Sequence, residues 1–264
     1  MTLTKSQIER LGVRLVRSNP PAAEDLAALH ELLLSYGDAL EEAVTTVQRS
    51  LGITPSSRVK TTGTILEKLE RYGGSWLKSI QDLAGMRIVG TFDRRGQDAL
   101  VAQLVELFSD GKRAPRVVDR REEPSHGYRA VHVIVSVRSL PVEIQIRTPL
   151  QHEWADLFEK LADRIGRNIR YGEPPQHWLS EGERQALSRR RREIYDLVHG
   201  ARSQAVTLSL TTAEMVSSYE EAESLAPELP VIRKLRAHVD RALSDLTEML
   251  EQLSSAEAGL ITQL

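Results

Sequence analysis

The apolar positions change their period along the chain, and the changes divide it. After the Asn19-Pro20-Pro21 break, Leu26, Leu29, Leu33, Leu40, Val44 and Val47 recur near helical spacing, which predicts a helix over Glu24–Leu51. Gly52–Ser57 reads as a loop. Thr64–Tyr72 reads as a second helix, closed by Gly73-Gly74. From Met86 the pattern turns to β: Met86–Thr91, Val131–Val137 and Val142–Arg147 are apolar or alternating. Between the first two of these, Gln97–Phe108 carries Leu100, Leu104 and Leu107 on one side and reads as a crossover helix. The rest is helical. Leu150–Ile165 bears Trp154, Leu157, Phe158 and Leu161 at helical spacing, and roughly three more helices follow Pro174-Pro175. The last, Val231–Leu253, carries Ile232, Leu235, Val239, Leu243, Leu246, Leu250 and Leu253 at threes and fours. That stripe predicts a packing face within the chain, with an oligomer contact as the alternative.

This order of elements predicts an α/β (α+β) fold: a mixed, twisted sheet flanked by helices, with a helical C-terminal extension. The first and last twenty residues carry no reading.

The stretch Val142–Thr148 is the most informative. At a strand's period of two, Val142, Ile144 and Ile146 face one way and Glu143, Gln145 and Arg147 the other. One face can lie on a core while the other presents an acid, an amide and a guanidinium.

Composition narrows the classes. At 41% apolar, 264 residues can bury a sizeable core. No apolar run approaches a membrane span, and the N-terminus has no uninterrupted apolar stretch of the secretory kind. The absence of cysteine excludes disulfides, thiolate metal sites and a cysteine nucleophile, and fits a cytoplasmic protein. A net charge of −2 gives no global basic field for nucleic acid.

Candidate chemistry gathers at the predicted strand edges. Asp82 immediately precedes the first strand. His132 alternates with Val131 and Val133, and Glu143 lies on the polar face of another β run. If those strands are adjacent, Asp82 and Glu143 can share a hard cation through oxygen ligands, as magnesium is held by one or two carboxylates plus substrate phosphates. Arg58, Lys60, Lys68, Arg87, Arg129 and Arg147 surround them in sequence, and such cations suit a polyphosphate. No Walker A loop, Rossmann glycine fingerprint or zinc signature is present. Taken singly, each residue has an ordinary structural explanation. Together they point to a magnesium–nucleotide site of unspecified reaction.

The ordered blocks Arg58-Val59-Lys60, Ile65–Leu69, Ile80–Ile88, Gly127–His132, Val142–Thr148 and Gln151–Ala155 resemble the synthetase domain of the RelA/SpoT family. The resemblance is to its small single-domain alarmone synthetases, including their toxic branch. It implies a nucleotidyltransferase-like synthetase domain over 24–172, between an N-terminal segment (1–23) and the helical extension (173–264). It also implies transfer of the β,γ-pyrophosphate of ATP, with Mg2+, to the 3′-hydroxyl of GDP or GTP. Carried over by position, Asp82 and Glu143 hold the metal, and Glu143 assists deprotonation of the attacking hydroxyl. Arg58 and Arg87 sandwich adenine, while Lys60 and Lys68 neutralise the triphosphate. Tyr128 stacks on the acceptor base, Arg129 binds the acceptor, and His132, Gln145 and Arg147 orient acceptor and phosphates. No His-Asp dipeptide occurs, so alarmone hydrolysis is not expected.

The sequence departs from the familiar guanosine synthetases before Gly127-Tyr128. Val117–His126 replaces a Lys-Asp-Tyr element and a Pro-Lys-x-Asn run, with Ser125 and His126 at the lysine and asparagine positions and Arg120 and Arg121 nearby. In a later helix Lys160 is kept and a histidine is not. Such changes resemble toxic relatives that act on the 3′ end of tRNA, or others that use adenosine nucleotides, and these acceptors stand as alternatives. A protein antitoxin is a partner of that branch. Arg189–Arg192, with Arg184, is the candidate RNA track; flanked by Glu181, Glu183 and Glu193, it reads more readily as a salt-bridged helix face. A catalytically inactive nucleotide- or partner-binding protein is the alternative of another class.

Overall fold

The computed structural model describes residues 3–110 and 114–263. In chain order the elements are α1 (Lys5–Leu15), α2 (Ala23–Leu51), β1 (Ser56–Val59), α3 (Thr62–Tyr72), a 3-10 turn (Gly74–Ser79), β2 (Ala84–Val89), α4 (Arg94–Leu107), β3 (Arg116–Asp119), β4 (Val131–Val137) and β5 (Leu140–Arg147). There follow α5 (Pro149–Ile165), a second 3-10 turn (Arg167–Tyr171), α6 (Glu181–Ala186), α7 (Arg189–Leu225) and α8 (Pro230–Gln263). The strands form one five-stranded mixed sheet in the order β1-β2-β5-β4-β3, so β2 and β5 are neighbours although far apart in sequence. Flanking helices and a helical C-terminal part complete the expected α/β architecture. No helix among the described residues is long and apolar enough to cross a membrane.

The chain forms two compact units. The first comprises residues 1–90, 97–118 and 131–146; the second comprises 91–96, 119–130 and 147–264. In the first, alternation puts Ala84, Met86, Ile88, Val131, Val133, Val135, Val142, Ile144 and Ile146 in the core. Helix α2 lies against β1, β2 and β4 and buries Leu29, Leu32, Tyr36, Leu40 and Val47 at helical spacing. Helix α1, outside the sequence reading, opens on a capping box in which Thr4 and Gln7 satisfy each other's backbone N–H groups. It packs on the turn Gly74–Ser79 through two glycines. A Cβ on Gly12 would stand 2.1 Å from the Gly74 carbonyl oxygen, and one on Gly74 would stand 2.4 Å from that of Gly12.

Two strands differ from the expectation. The span Gly52–Ser57 is a loop only as far as Pro55, because Ser56 begins β1; β3 was not anticipated at all. Both are four-residue edge strands; β1 is mostly exposed and polar, and β3 sets Val117 beside Val118 between Arg116 and Asp119, so neither carries the alternation that marks a half-buried strand.

In the second unit α5 starts at Thr148, whose hydroxyl accepts the N–H of Gln151 while the Gln151 side chain returns to the Thr148 N–H. Trp154, Phe158, Leu161 and Ile165 then pack with Ala213, Val216 and Tyr219 of α7. The indole of Trp154 donates to the carbonyl of Ser209 (2.7 Å). Ile232, Val239, Leu243, Leu246 and Leu253 of α8 join the same core, with Leu235 and Leu250 at its margin. The C-terminal stripe is therefore filled within the chain.

Candidate nucleotide site

The polar side of the sheet is defined by register. Residues opposite one another in antiparallel strands share a face. Arg58 pairs with Gly85 and Ser56 with Arg87, so Arg58 and Arg87 lie on one face as diagonal neighbours. On the other pair, His132 opposes Gln145 and Ile134 opposes Glu143. A Cβ on Gly85 would stand 4.0 Å from the Glu143 Cβ, which joins the two pairs across the β2–β5 seam. Gly85 thus leaves a bare floor between Arg58 and Glu143.

Asp82 stands just before β2, where the chain passes Lys60; the Lys60 N–H donates to the Leu83 carbonyl (2.8 Å). The Lys60 ammonium donates to Asp82 Oδ2, and Lys68, from α3, lies 3.1 Å from both Asp82 oxygens. Burial pushes the Asp82 carboxyl up, but the two ammoniums outweigh it and hold the carboxyl below its ordinary value. Burial and the neighbouring Lys68 ammonium lower Lys60, more than Asp82 restores it.

Glu143 is 9% exposed and is gripped from both sides. His132 Nδ1 lies 3.0 Å from its Oε1, and Gln145 Nε2 donates to its Oε2 at 2.8 Å. Burial raises the Glu143 carboxyl, the His132 and Gln145 contacts lower it further than that, and the charge of Asp82 pushes it back up. The two acids therefore feel one another. A shared divalent cation would relieve that repulsion, and carboxylate oxygens are the donors a hard cation prefers, so this pair fits magnesium. Among the described residues no group of three or more His, Asp or Glu side chains could hold a metal. Such an ion would draw its remaining ligands from water and substrate phosphates.

The structure thus brings together Lys60, Lys68 and Asp82 as one cluster, His132, Glu143 and Gln145 as another, and Arg58, Arg87 and Glu143 on one face, all in the first unit. Tyr128, Arg129 and Arg147 belong to the second. The backbones of Ser125 and Tyr128 exchange hydrogen bonds (3.2 and 3.0 Å) around a tight turn in which His126 and Gly127 have φ of 50° and 85°. Arg147 Nη2 donates to the Tyr128 hydroxyl at 3.0 Å, and its guanidinium carbon lies 4.9 Å from the ring centroid. Arg129 donates to the Gly127 carbonyl (3.1 Å) and to Glu214 Oε1 (2.7 Å). Arg121, in the segment that departs from the familiar synthetases, forks onto Asp119. In the basic cluster Arg184 pairs with Glu181 and Arg189 with Glu193, while Arg192 caps the carbonyls of Gln185 and Leu187. The salt-bridged helix face describes it.

Sequence reasoning missed Glu214 and Glu220. Their partners lie 85 and 72 residues away in the chain, so no local pattern points to them. His132 and Gln145, which the sequence places toward acceptor and phosphates, both contact Glu143 here.

Residues 57–162 match the family model described as a region found in RelA / SpoT proteins. Uncharacterized proteins of Mycobacterium bovis and Mycobacterium tuberculosis are each 37% identical over 177 residues, which cover 66% of this chain and 64% of theirs. The matched region spans less than two thirds of those relatives. Small alarmone synthetase 1 from Bacillus subtilis, solved bound to AMPCPP, is 22% identical, covers 73% of this chain and 97% of its own, and superposes with a TM-score of 0.40.

Proposed function

We propose that this chain, whose residues 57–162 match a region found in RelA / SpoT proteins, is a pyrophosphokinase that moves the β,γ-pyrophosphate of ATP onto the 3′-hydroxyl of GDP or GTP. The observation that carries the reading is the placement of Asp82 just before β2 and of Glu143 on the neighbouring β5, with Lys60 and Lys68 on Asp82. Asp82 and Glu143 would hold Mg2+, which when bound supplies charge neutralisation at the transferring phosphates.

The reaction asks little covalent chemistry of the protein. The acceptor 3′-oxygen attacks the β-phosphorus of ATP, the bond from that phosphorus to the α,β-bridging oxygen breaks, and AMP leaves. Glu143 takes the hydroxyl proton; its carboxyl lies below its ordinary value, so it is ionised and able to accept. His132 and Gln145 fix the orientation of that carboxylate. Lys60 and Lys68 neutralise the phosphates, Arg58 and Arg87 flank adenine, and Tyr128, Arg129 and Arg147 serve the acceptor.

The test incubates the protein with Mg2+ and γ-labelled ATP, offering GDP, GTP, ATP alone or deacylated tRNA separately. Label on GDP or GTP is expected. Label on the tRNA 3′ end or on an adenosine nucleotide would replace the acceptor while keeping the donor chemistry. No transfer to any acceptor would overturn the enzyme reading in favour of a nucleotide-binding protein.

A further inference from the structure

One side of α7 is devoted to the segments that carry the acceptor residues. Glu214, Ser217 and Glu220 follow at three-residue intervals, and each ends on a different piece of chain. Glu214 Oε1 accepts from Arg129 Nη2 (2.7 Å), and Ser217 Oγ accepts from Arg94 Nη2 (2.8 Å). Glu220 accepts the Thr148 hydroxyl and, at 2.8 Å, Gln151 Nε2; its Oε2 also lies 3.9 Å from Arg94 Nε. Thr148 directly follows Arg147 and caps α5. The Glu220 contact therefore fixes the backbone one residue from the guanidinium that bonds Tyr128.

A carboxylate is a poor choice here for stability alone. Glu220 is 2% exposed, and burial pushes its carboxyl above the ordinary value, only partly offset by Thr148, Gln151 and Arg94. Well-packed apolar residues in place of a buried ionic network are often neutral or stabilising. What the carboxylate adds is direction: it receives two donors from the first turn of α5 at once.

We propose that Glu220, with Glu214 and Ser217 beside it, is a positioning residue of the acceptor half, and that α7 is a strut setting Arg147 and Tyr128 rather than an appended helix. This rests on the assignment of Tyr128 and Arg147 to the acceptor. Glu220→Gln keeps the shape and removes the charge: its amide oxygen can take the Gln151 NH2 while its NH2 faces the Thr148 hydroxyl, so the two charge-assisted hydrogen bonds become neutral ones.

The experiment compares the intact chain with Glu220→Gln and Thr148→Ser. For Glu220→Gln, the acceptor KM rises about tenfold, as loss of a charge-assisted hydrogen bond implies, while the ATP KM and kcat stay within about twofold. Its Tm at pH 7 holds or rises, because a buried charge has gone. Thr148→Ser retains the hydroxyl and keeps the wild-type acceptor KM. A purely structural role would instead lower Tm and disturb both KM values together. In parallel, the Arg147 Nε–Hε resonance, assigned with Arg147→Lys, shifts or broadens in Glu220→Gln. An unmoved resonance, or an unchanged acceptor KM in active protein, overturns the proposal. If the wild type transfers to no acceptor, the pyrophosphokinase reading falls, and the resonance still decides whether Glu220 positions Arg147.

Discussion

Glu143 combines the requirements of a metal ligand and a base in one side chain: little water, two fixed hydrogen-bonding neighbours and a second carboxylate within electrostatic reach. Glu143→Gln keeps the volume and the Gln145 neighbour but removes the charge. Turnover is expected to fall about 10³-fold, a general-base-sized loss, with an unchanged circular dichroism spectrum; retained turnover would defeat the assignment. The depressed carboxyls also set an acid limit. For Asp82 and Glu143 the folded values lie below the ordinary 3.8 and 4.5, so their contribution to stability is complete above those values and is lost as pH falls through the folded ones. Glu220 works in the opposite sense. Its folded value lies above 4.5, so its ionisation costs stability as pH rises from there. Thermal unfolding followed from pH 3 to 8 is therefore expected to show a smaller loss of Tm toward neutral pH in Glu220→Gln than in the wild type. Parallel curves would contradict the burial argument.

Elements were legible in the sequence where burial enforced a period. The strands β2, β4 and β5 and the helices α2, α5 and α8 each lay a continuous apolar row on a core, and their predicted bounds fall within a few residues of those found, except that α8 runs ten residues past the predicted end. Helix α1 was passed over although Ile8, Leu11 and Leu15 recur at helical spacing on its buried side, where Gly12 also meets Gly74 backbone to backbone. Gly12→Ala is expected to cost about 1–3 kcal/mol, since the new methyl meets backbone that cannot rotate away. Denaturant unfolding checks this, and an unchanged midpoint would refute the tight contact. Gly172→Ala is expected to destabilise as well. Its φ is +78°, and the added carbon would stand 2.5 Å from the His126 ring at the turn before Tyr128. The Arg147 resonance would report whether that turn moves.

For the molecule as a whole, a net charge of −2 conceals a local excess of cations around two acids. The site is therefore legible from strand-edge chemistry and not from composition. The acids, Lys60 and Lys68 could be named because each sits at a fixed offset from a recognisable strand or helix. Glu214 and Glu220 could not, because helix α7 meets Arg129 and Thr148 only through the tertiary fold. The account makes ATP binding depend on magnesium: a non-hydrolysable ATP analogue at 100 times its Kd should stabilise the chain by about 2.7 kcal/mol with Mg2+ present. With a chelator the shift should shrink to what Lys60, Lys68 and the arginines flanking adenine supply. Equal shifts would remove the metal from the site.

The central claim is donor chemistry on the Asp82–Glu143 pair. The most direct measurement is 31P NMR of an incubation with Mg2+, ATP and GDP, run beside Glu143→Gln. The account predicts AMP and a 3′-pyrophosphorylated guanosine nucleotide in equal amounts from the wild type, and neither from the variant. ATP remaining intact, or ADP and phosphate accumulating in place of AMP, would contradict it.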